Sequence, residues 1–367
     1  MKIASVLARL GLIVLGFPLL LKAQNPAFDS QPSFKDGPYI FYEGETVIAR
    51  WITEEGLKED TLDAGRPLMA GPGFPAAFDP SCIQLGATFA PDPKTAFRKV
   101  ERIAAVSDIH GQYDLMIALL KAHGIIDKEN NWAFGRGHLV VLGDIFDRGD
   151  EVTGLLWFVY KLEQQAEKAG GKVHYLLGNH EVMALKGDLR YIHKKYRYTM
   201  ARMGMSYDQL FGKDTFLGRW LRSRPVAISI NRTAFVHAGL SRQLLEMGLT
   251  FGAMNDLFRE QILDQPEDSI LADPYLAYLY SEDGPIWYRG YFEDDFTRGQ
   301  AQWILNAINM KHLVVGHTSF SEIVSLFRNR IIGIDSSIKL GKQGEILLIE
   351  NNKFYRGTLN GKRTRLN

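Results

Sequence analysis

The 367-residue chain contains a single cysteine, Cys82. That scarcity excludes an intrachain disulfide and any thiolate cluster, so a metal site would have to be built from His, Asp and Asn. An excess of one charge is also missing. Forty-three Lys and Arg stand against 42 Asp and Glu, a formal net charge of +1. With no basic stripe and no global field, nothing asks for a nucleic acid as partner. Internal repeats and low-complexity tracts are absent as well. The apolar run at residues 10–21 is too short to span a bilayer comfortably. It follows the basic residues Lys2 and Arg9 and leads into Lys22-Ala23-Gln24, the proportions of a secretory signal peptide. Residues 1–23 are therefore expected to direct export, to the periplasm, and to leave no stable membrane association once removed.

What is present is a series of short polar motifs, each closing an apolar run. They are Asp108-Ile109-His110-Gly111, Gly143-Asp144-Ile145-Phe146-Asp147-Arg148-Gly149, Gly178-Asn179-His180-Glu181, His237-Ala238-Gly239 and Gly316-His317. The preceding runs, at 103–106, 139–142, 173–177, 234–236 and 313–315, are dominated by Val, Ile, Leu and Ala. Runs of that length and composition predict strands buried on both faces. Helical patterns at 113–122 and 153–169 alternate with them, which argues an α/β layered fold. Binding residues in such folds collect beyond the carboxyl ends of the strands, so the five motifs are expected to share one rim.

Around this core, residues 24–37 are polar and Pro-containing and read as a linker. Residues 39–51 carry Ile, Tyr, Val and Trp broken by Gly44, which suggests a hairpin, and 67–80 read as an extended loop rich in Gly, Pro and Ala. Two mostly helical excursions, at 181–226 and 244–283, leave and re-enter the sheet beside a motif and are positioned to wall the rim. The expected division is a signal at 1–23, an extension at 24–100 packed on the catalytic domain, and that domain at 101–367.

The motif residues suit a pair of divalent ions. Asp108 and His110, one residue apart at a strand end, can address one ion, and Asp144 can bridge two with its two oxygens. Asn179, His237 and His317 would complete the second ion. Such ligands suit manganese, with iron or zinc as alternatives, better than calcium. Two adjacent ions form a clamp for in-line displacement at phosphorus, with a bridging hydroxide as nucleophile. His180 is placed to protonate the leaving group, with Asp147 to orient it. Arg148 and Arg289, and Asn179 beside them, are candidates to hold the phosphate, a task for which guanidinium is well shaped. The other histidines, His123, His138, His174, His193 and His312, read as ordinary imidazoles. The basic stretch around Lys194, Lys195 and Arg197 reads as a solvated helix face.

These motifs resemble the calcineurin-like metallophosphoesterase superfamily, its phosphoprotein phosphatase branch, and within it the Shewanella-like protein phosphatases. The likeness extends to residues 178–191, to Pro285-Ile286-Trp287-Tyr288-Arg289-Gly290 and to Val315-Gly316-His317-Thr318. It implies a central β-sandwich flanked by α-helices, a dinuclear metal site at the loop rim, and the same ligand, acid and phosphate-clamp roles. Two departures stand out. Ser107 replaces the usual first Gly, and Asp335-Ser336-Ser337 occupies the region of a Ser-Ala-x-Asn-Tyr signature. The implied substrate is a phosphorylated protein or peptide, phosphotyrosyl or phosphoseryl/threonyl; the alternative is a nucleotide or other small phosphoester, such as a dinucleoside polyphosphate.

Overall fold

The computed structural model describes residues 34–62, 74, 78–83 and 89–367. The apolar run at 10–21 and most of the 67–80 segment fall outside them. Three antiparallel strands come first: β1 (Asp36–Glu43), β2 (Thr46–Thr53) and β3 (Gly56–Leu62). The hairpin expected around Gly44 is there, with Gly44 at φ 64 in the turn, and β3 adds a strand beyond it. The linker expected through Gly37 ends earlier, because β1 begins at Asp36. That carboxylate is buried and accepts hydrogen bonds from Tyr39 Oη and Thr199 Oγ1, each at 2.8 Å. A polar residue with distant buried partners looks like linker until those partners are known.

The remaining strands are β4 (Ala96–Phe97), β5 (Arg102–Val106), β6 (His138–Val141), β7 (Lys172–Tyr175), β8 (Ala227–Ile230), β9 (Thr233–Val236), β10 (His312–Val315), β11 (Val324–Leu326), β12 (Ile331–Gly333), β13 (Glu345–Glu350), β14 (Lys353–Thr358) and β15 (Arg363–Arg365). They form two six-stranded sheets, ordered β15-β14-β13-β5-β6-β7 and β11-β12-β10-β9-β8-β4. All five apolar runs that precede a motif are strands. β5, β6 and β7 run parallel, as do β9, β10 and β12. Parallel neighbours need a crossover. Helix Tyr113–Ala122 supplies it between β5 and β6, and helix Val152–Lys168 between β6 and β7.

Apolar residues on both faces of these strands have separate destinations. Ile103, Ala105, Val140 and Leu142 meet Ile228, Phe235, Val314 and Ile332 of the other sheet in one core. Ala104, Val106, Leu139 and Val141 turn outward into a second, larger core with the helices. The result is a β-sandwich with helices packed outside it, which is why these strands read as continuously apolar. The long helix also carries β1, since Trp157 Nε1 donates to the Pro38 carbonyl at 3.0 Å.

The two excursions are helical as expected, including Lys194–Met203, Tyr207–Leu210 and Phe216–Arg222 in the first and Phe251–Leu257 and Pro274–Tyr280 in the second. One expectation there is corrected. Lys195 is buried rather than solvated, 3.1 Å from Glu151 and 3.9 Å from Asp36, whereas Lys194 and Arg197 are exposed. Two facing carboxylates draw the ammonium inward, and neither is adjacent in sequence. Among the described residues, no helix is long and apolar enough to cross a membrane.

Candidate metal centre

Each motif sits where a strand ends, and in three of the five the chain turns there in a conformation that side chains resist. Asp108, His110, Asp144, Asp147, Arg148 and His317 all have positive φ, between 48° and 70°. Such left-handed turns cost about 1–3 kcal/mol each for a residue with a side chain. They aim the side chains back over the strand ends, into one shared space. Two glycines make the approach of the loops feasible. A Cβ on Gly178 would lie 2.3 Å from Asp144 Oδ1, and one on Gly316 would lie 1.9 Å from Ser107 Oγ and 2.5 Å from Asp108 Oδ2.

Asp144 is the centre of the assembly. Its Oδ2 lies 3.4 Å from His237 Nε2, 3.6 Å from His110 Nε2 and 4.0 Å from His180 Nε2. Two clusters share this carboxylate: His110, Asp144 and His180, and Asp144, His237 and His317. Asn179 Oδ1 lies 3.0 Å from His237 Nε2, which brings it to the second cluster. Asp108 belongs to neither cluster. Its Oδ2 accepts from Ser107 Oγ at 2.5 Å and from the His317 backbone N–H at 2.9 Å.

The donor set fits a pair of cations. His110 Nδ1 faces the Phe146 carbonyl at 2.7 Å, and His237 Nδ1 faces the Leu142 carbonyl at 2.5 Å. A carbonyl accepts only from N–H, so each Nε2 is left to present its lone pair inward, the arrangement typical of ligating histidines. His317 Nε2 is buried with no hydrogen-bond partner. An orphaned imidazole nitrogen beside a shared carboxylate is what a cation would satisfy.

Charge points the same way. Burial drives His110 down to about 3 and His317 down to about 2, so both are neutral ligands at ordinary pH. Burial also opposes charge on His237, but Asp144 beside it prevails and lifts it to about 10, so without a cation Nε2 holds a proton that a bound ion would displace to free the lone pair. Asp144 is correspondingly held well below the usual carboxylate range: burial would raise it, and His237 and His180 outweigh that. Asp108 moves up, through burial first and then through Asp335 and Asp144. A buried anionic cluster drawing in positive charge is a cation site by its electrostatics.

His180 and Asp147 form the expected pair, with Nδ1 and Oδ2 2.5 Å apart. His180 Nε2 is thereby turned toward the same space as the ligand nitrogens. Arg289 Nη1 donates to the His317 carbonyl at 2.8 Å, which fixes the guanidinium at the rim. Arg148 is also exposed there, its guanidinium 5.0 Å from the centre of the Tyr191 ring. The sequence-selected residues thus come together on one rim.

Several contributors were not singled out from the sequence. Glu181 accepts from the backbone N–H groups of Asp144, Ile145 and Gly178, each at 2.7 Å, and from Tyr175 Oη at 2.9 Å. It ties the second motif to the third. A Glu three residues after a helix-starting Gly is a recognisable capping signal and could have exposed this role. Asp335, close enough to raise Asp108, and Trp287, whose ring centre is 5.6 Å from that of His317, carry no such signal.

A shared carboxylate ringed by imidazoles, with an acid–carboxylate pair beside it, defines a metallophosphoesterase-type site. The calcineurin-like phosphoesterase family matches residues 101–319, and the chain belongs to that family. An uncharacterised protein of Schizosaccharomyces pombe is 31% identical over 286 residues, covering 75% of this chain and 85% of that one. The Shewanella-like protein phosphatase 1 of Plasmodium berghei is 30% identical over 258 residues, covering 65% and 67%. The crystal structure of a cold-active protein-tyrosine phosphatase from a psychrophilic Shewanella species superposes with a TM-score of 0.82. It is 40% identical and covers 90% of this chain and 99% of its own. The chain is a phosphatase-class hydrolase of the divalent-metal type.

Proposed function

We propose that this enzyme is a metal-dependent protein phosphatase that favours phosphotyrosyl residues. The observation that carries this reading is the recess of the site. Asp108, His110, Asp144, Asp147, Asn179, His180, His237 and His317 are each 4% exposed or less, while Arg148 and Arg289 are exposed at the mouth. A tyrosine ring carries its phosphorus several ångströms further from the peptide backbone than a serine or threonine stem does. Depth therefore selects the longer side chain. The Shewanella relative named as a protein-tyrosine phosphatase supports the same choice.

In this reading, Asp108, His110 and Asp144 hold one ion, and Asp144, Asn179, His237 and His317 hold the other, with manganese the preferred metal. The chemistry such ions would supply there is activation of a water and uptake of charge on the phosphoryl oxygens. The protein's own groups do the rest. Arg148 and Arg289, with Asn179, orient the phosphoryl group. His180 gives the proton on Nε2 to the departing oxygen, and Asp147 on Nδ1 keeps the ring aimed. The division at residue 100 and export to the periplasm on residues 1–23 complete the proposal, on sequence grounds.

The test is phosphate release by metal-loaded protein from two matched peptides, one phosphotyrosyl and one phosphothreonyl, with a chelated control. The expected result is metal-dependent turnover with the phosphotyrosyl peptide ahead, and a loss of about 10²–10⁴-fold in His180→Ala. Turnover of a dinucleoside polyphosphate with neither peptide cleaved would overturn the protein-substrate assignment.

A further inference from the structure

Among the large apolar side chains exposed on the described residues, Tyr191, 42% exposed, stands beside the acid. Its ring centre lies 5.3 Å from that of His180, inclined at 57°. The guanidinium of Arg148 stands 5.0 Å from the same ring, and that of Arg190 stands 5.8 Å away. The exposed ring thus touches both the proton donor and a phosphate-clamp residue.

The backbone beneath it is fixed from several sides. The Tyr191 carbonyl accepts from the Arg148 N–H at 3.0 Å, inside the second motif. One residue back, Arg190 is forked onto Asp188, with Nη2 to Oδ2 at 2.7 Å. The Asp188 N–H in turn donates to the Met183 carbonyl at 2.9 Å, and Arg197 donates to the Leu189 carbonyl at 3.1 Å. An aromatic ring held out on an anchored backbone loses little freedom on meeting a ligand, which is how a preformed contact surface gains affinity.

Its position determines what it meets. The leaving oxygen must come within hydrogen-bond reach of His180 Nε2 to take a proton. The atoms attached to that oxygen then emerge next to the ring that borders His180. For a phosphotyrosyl residue those atoms are a phenyl ring; for a phosphothreonyl residue they are a short aliphatic stem.

We infer that Tyr191 is a specificity-determining residue, whose ring packs against the aryl ring of a phosphotyrosyl substrate at the mouth of the site. This rests on the phosphatase reading above and adds the residue that would read the leaving group. Aromatic pairs favour offset or edge-to-face contact and contribute beyond simple burial. An alkyl leaving group forgoes that term.

The test uses two probes that cannot turn over, so binding is read without catalysis. One peptide carries phosphonomethylphenylalanine, and its match carries the phosphonate analogue of phosphoserine. Dissociation constants are measured by fluorescence anisotropy on the metal-loaded protein, on Tyr191→Phe and on Tyr191→Ala. The expected result is about 3–10-fold weaker binding of the aryl probe in Tyr191→Ala, with the alkyl probe changed by less than about 2-fold. Tyr191→Phe should keep the wild-type preference. Equal losses on both probes would show a general shield over His180 and overturn the inference. So would unchanged aryl binding, or no aryl binding by the wild type. Should Tyr191→Ala melt early, Tyr191→Leu supplies the same comparison with more bulk retained. If the aryl preference depends on Tyr191 but neither phosphopeptide is cleaved, the inference stands and the protein-phosphatase reading falls.

Discussion

Two of the buried polar clusters among the described residues are built on opposite terms. The rim cluster around Asp144 rests on strained backbone, with six of its residues in left-handed turns. The other lies where the N-terminal sheet meets the helices. Asp36 there accepts from Tyr39 and Thr199, Tyr39 Oη is 3.1 Å from Thr153 Oγ1, and Tyr196 Oη takes the Val152 N–H at 2.7 Å and donates to the Asp150 carbonyl at 2.9 Å. Tyr196 and Thr199 sit in a helix, and Asp36 and Tyr39 in β1, which shifts register between them without placing either in a left-handed turn. The second cluster closes mainly on itself, while the first gathers carboxylates and imidazoles whose free atoms face one space. Burial and charge therefore do not by themselves identify a functional site. What marks the rim is convergence: left-handed turns also occur away from it, at Lys99, Asn130 and Asn351 among others, but here six of them gather carboxylates and imidazoles around one space.

Three changes would sharpen or break that contrast. The largest effect is expected at the rim. Asp144→Asn removes the shared carboxylate charge and should abolish metal-dependent phosphate release, with bound metal measured alongside by elemental analysis. Retained turnover would remove the two-ion proposal and with it the functional meaning of the strain.

The second change tests the closed cluster. Asp36→Ala takes the buried acceptor from the Thr199 hydroxyl and one of two partners from Tyr39 and from Lys195. It should cost about 3 kcal/mol of stability in denaturant unfolding. The kcat of protein that remains folded should stay near the wild-type value. A fall in kcat at unchanged stability would mean that the N-terminal sheet acts on the Arg148 loop, only a few residues from Asp150.

The smallest effect concerns two imidazoles far from the rim. His138 Nδ1 and His174 Nε2 lie 2.9 Å apart. Burial lowers His138 to about 4, assisted by Lys172, and lowers His174 well below its ordinary 6.5. The folded state therefore binds fewer protons than the unfolded chain at these positions. Their contribution to stability is full above about pH 6.5 and declines as pH falls toward the depressed values. Thermal melts of metal-free protein from pH 7 to pH 4 should show this decline, and His174→Phe should flatten it. An unaltered slope would show that groups other than this pair set the acid response.

The contrast also explains what could be read from the chain. Strand ends bearing Asp, Asn and His were legible because parallel strands force their functional residues onto one edge, whatever the loops do. The helices at Tyr113–Ala122 and Val152–Lys168 followed from periodicity, to the residue in one case and within one residue in the other. Asp36 and Lys195 were misjudged because each is defined by partners more than 40 positions away in sequence, with Thr199 163 residues from Asp36 and Glu151 44 from Lys195. Tyr191 was visible as a letter, but its exposure beside His180 depends on how the third motif and the following loop fold back. Local pattern predicts which atoms are available, and tertiary approach decides which of them meet.

One feature of the rim reaches beyond catalysis. Asp108, Asp144 and Asn179 follow strands of one sheet, while His237 and His317 follow strands of the other. A cation shared among them would staple the two halves of the sandwich together at their open edge. It could do so only after both sheets had formed and docked, since the ligands span 209 residues of chain between Asp108 and His317. By mass action, whatever binds the folded state alone also holds the chain folded. Metal supply would then govern not just how fast each molecule works but how many survive proteolysis long enough to work at all.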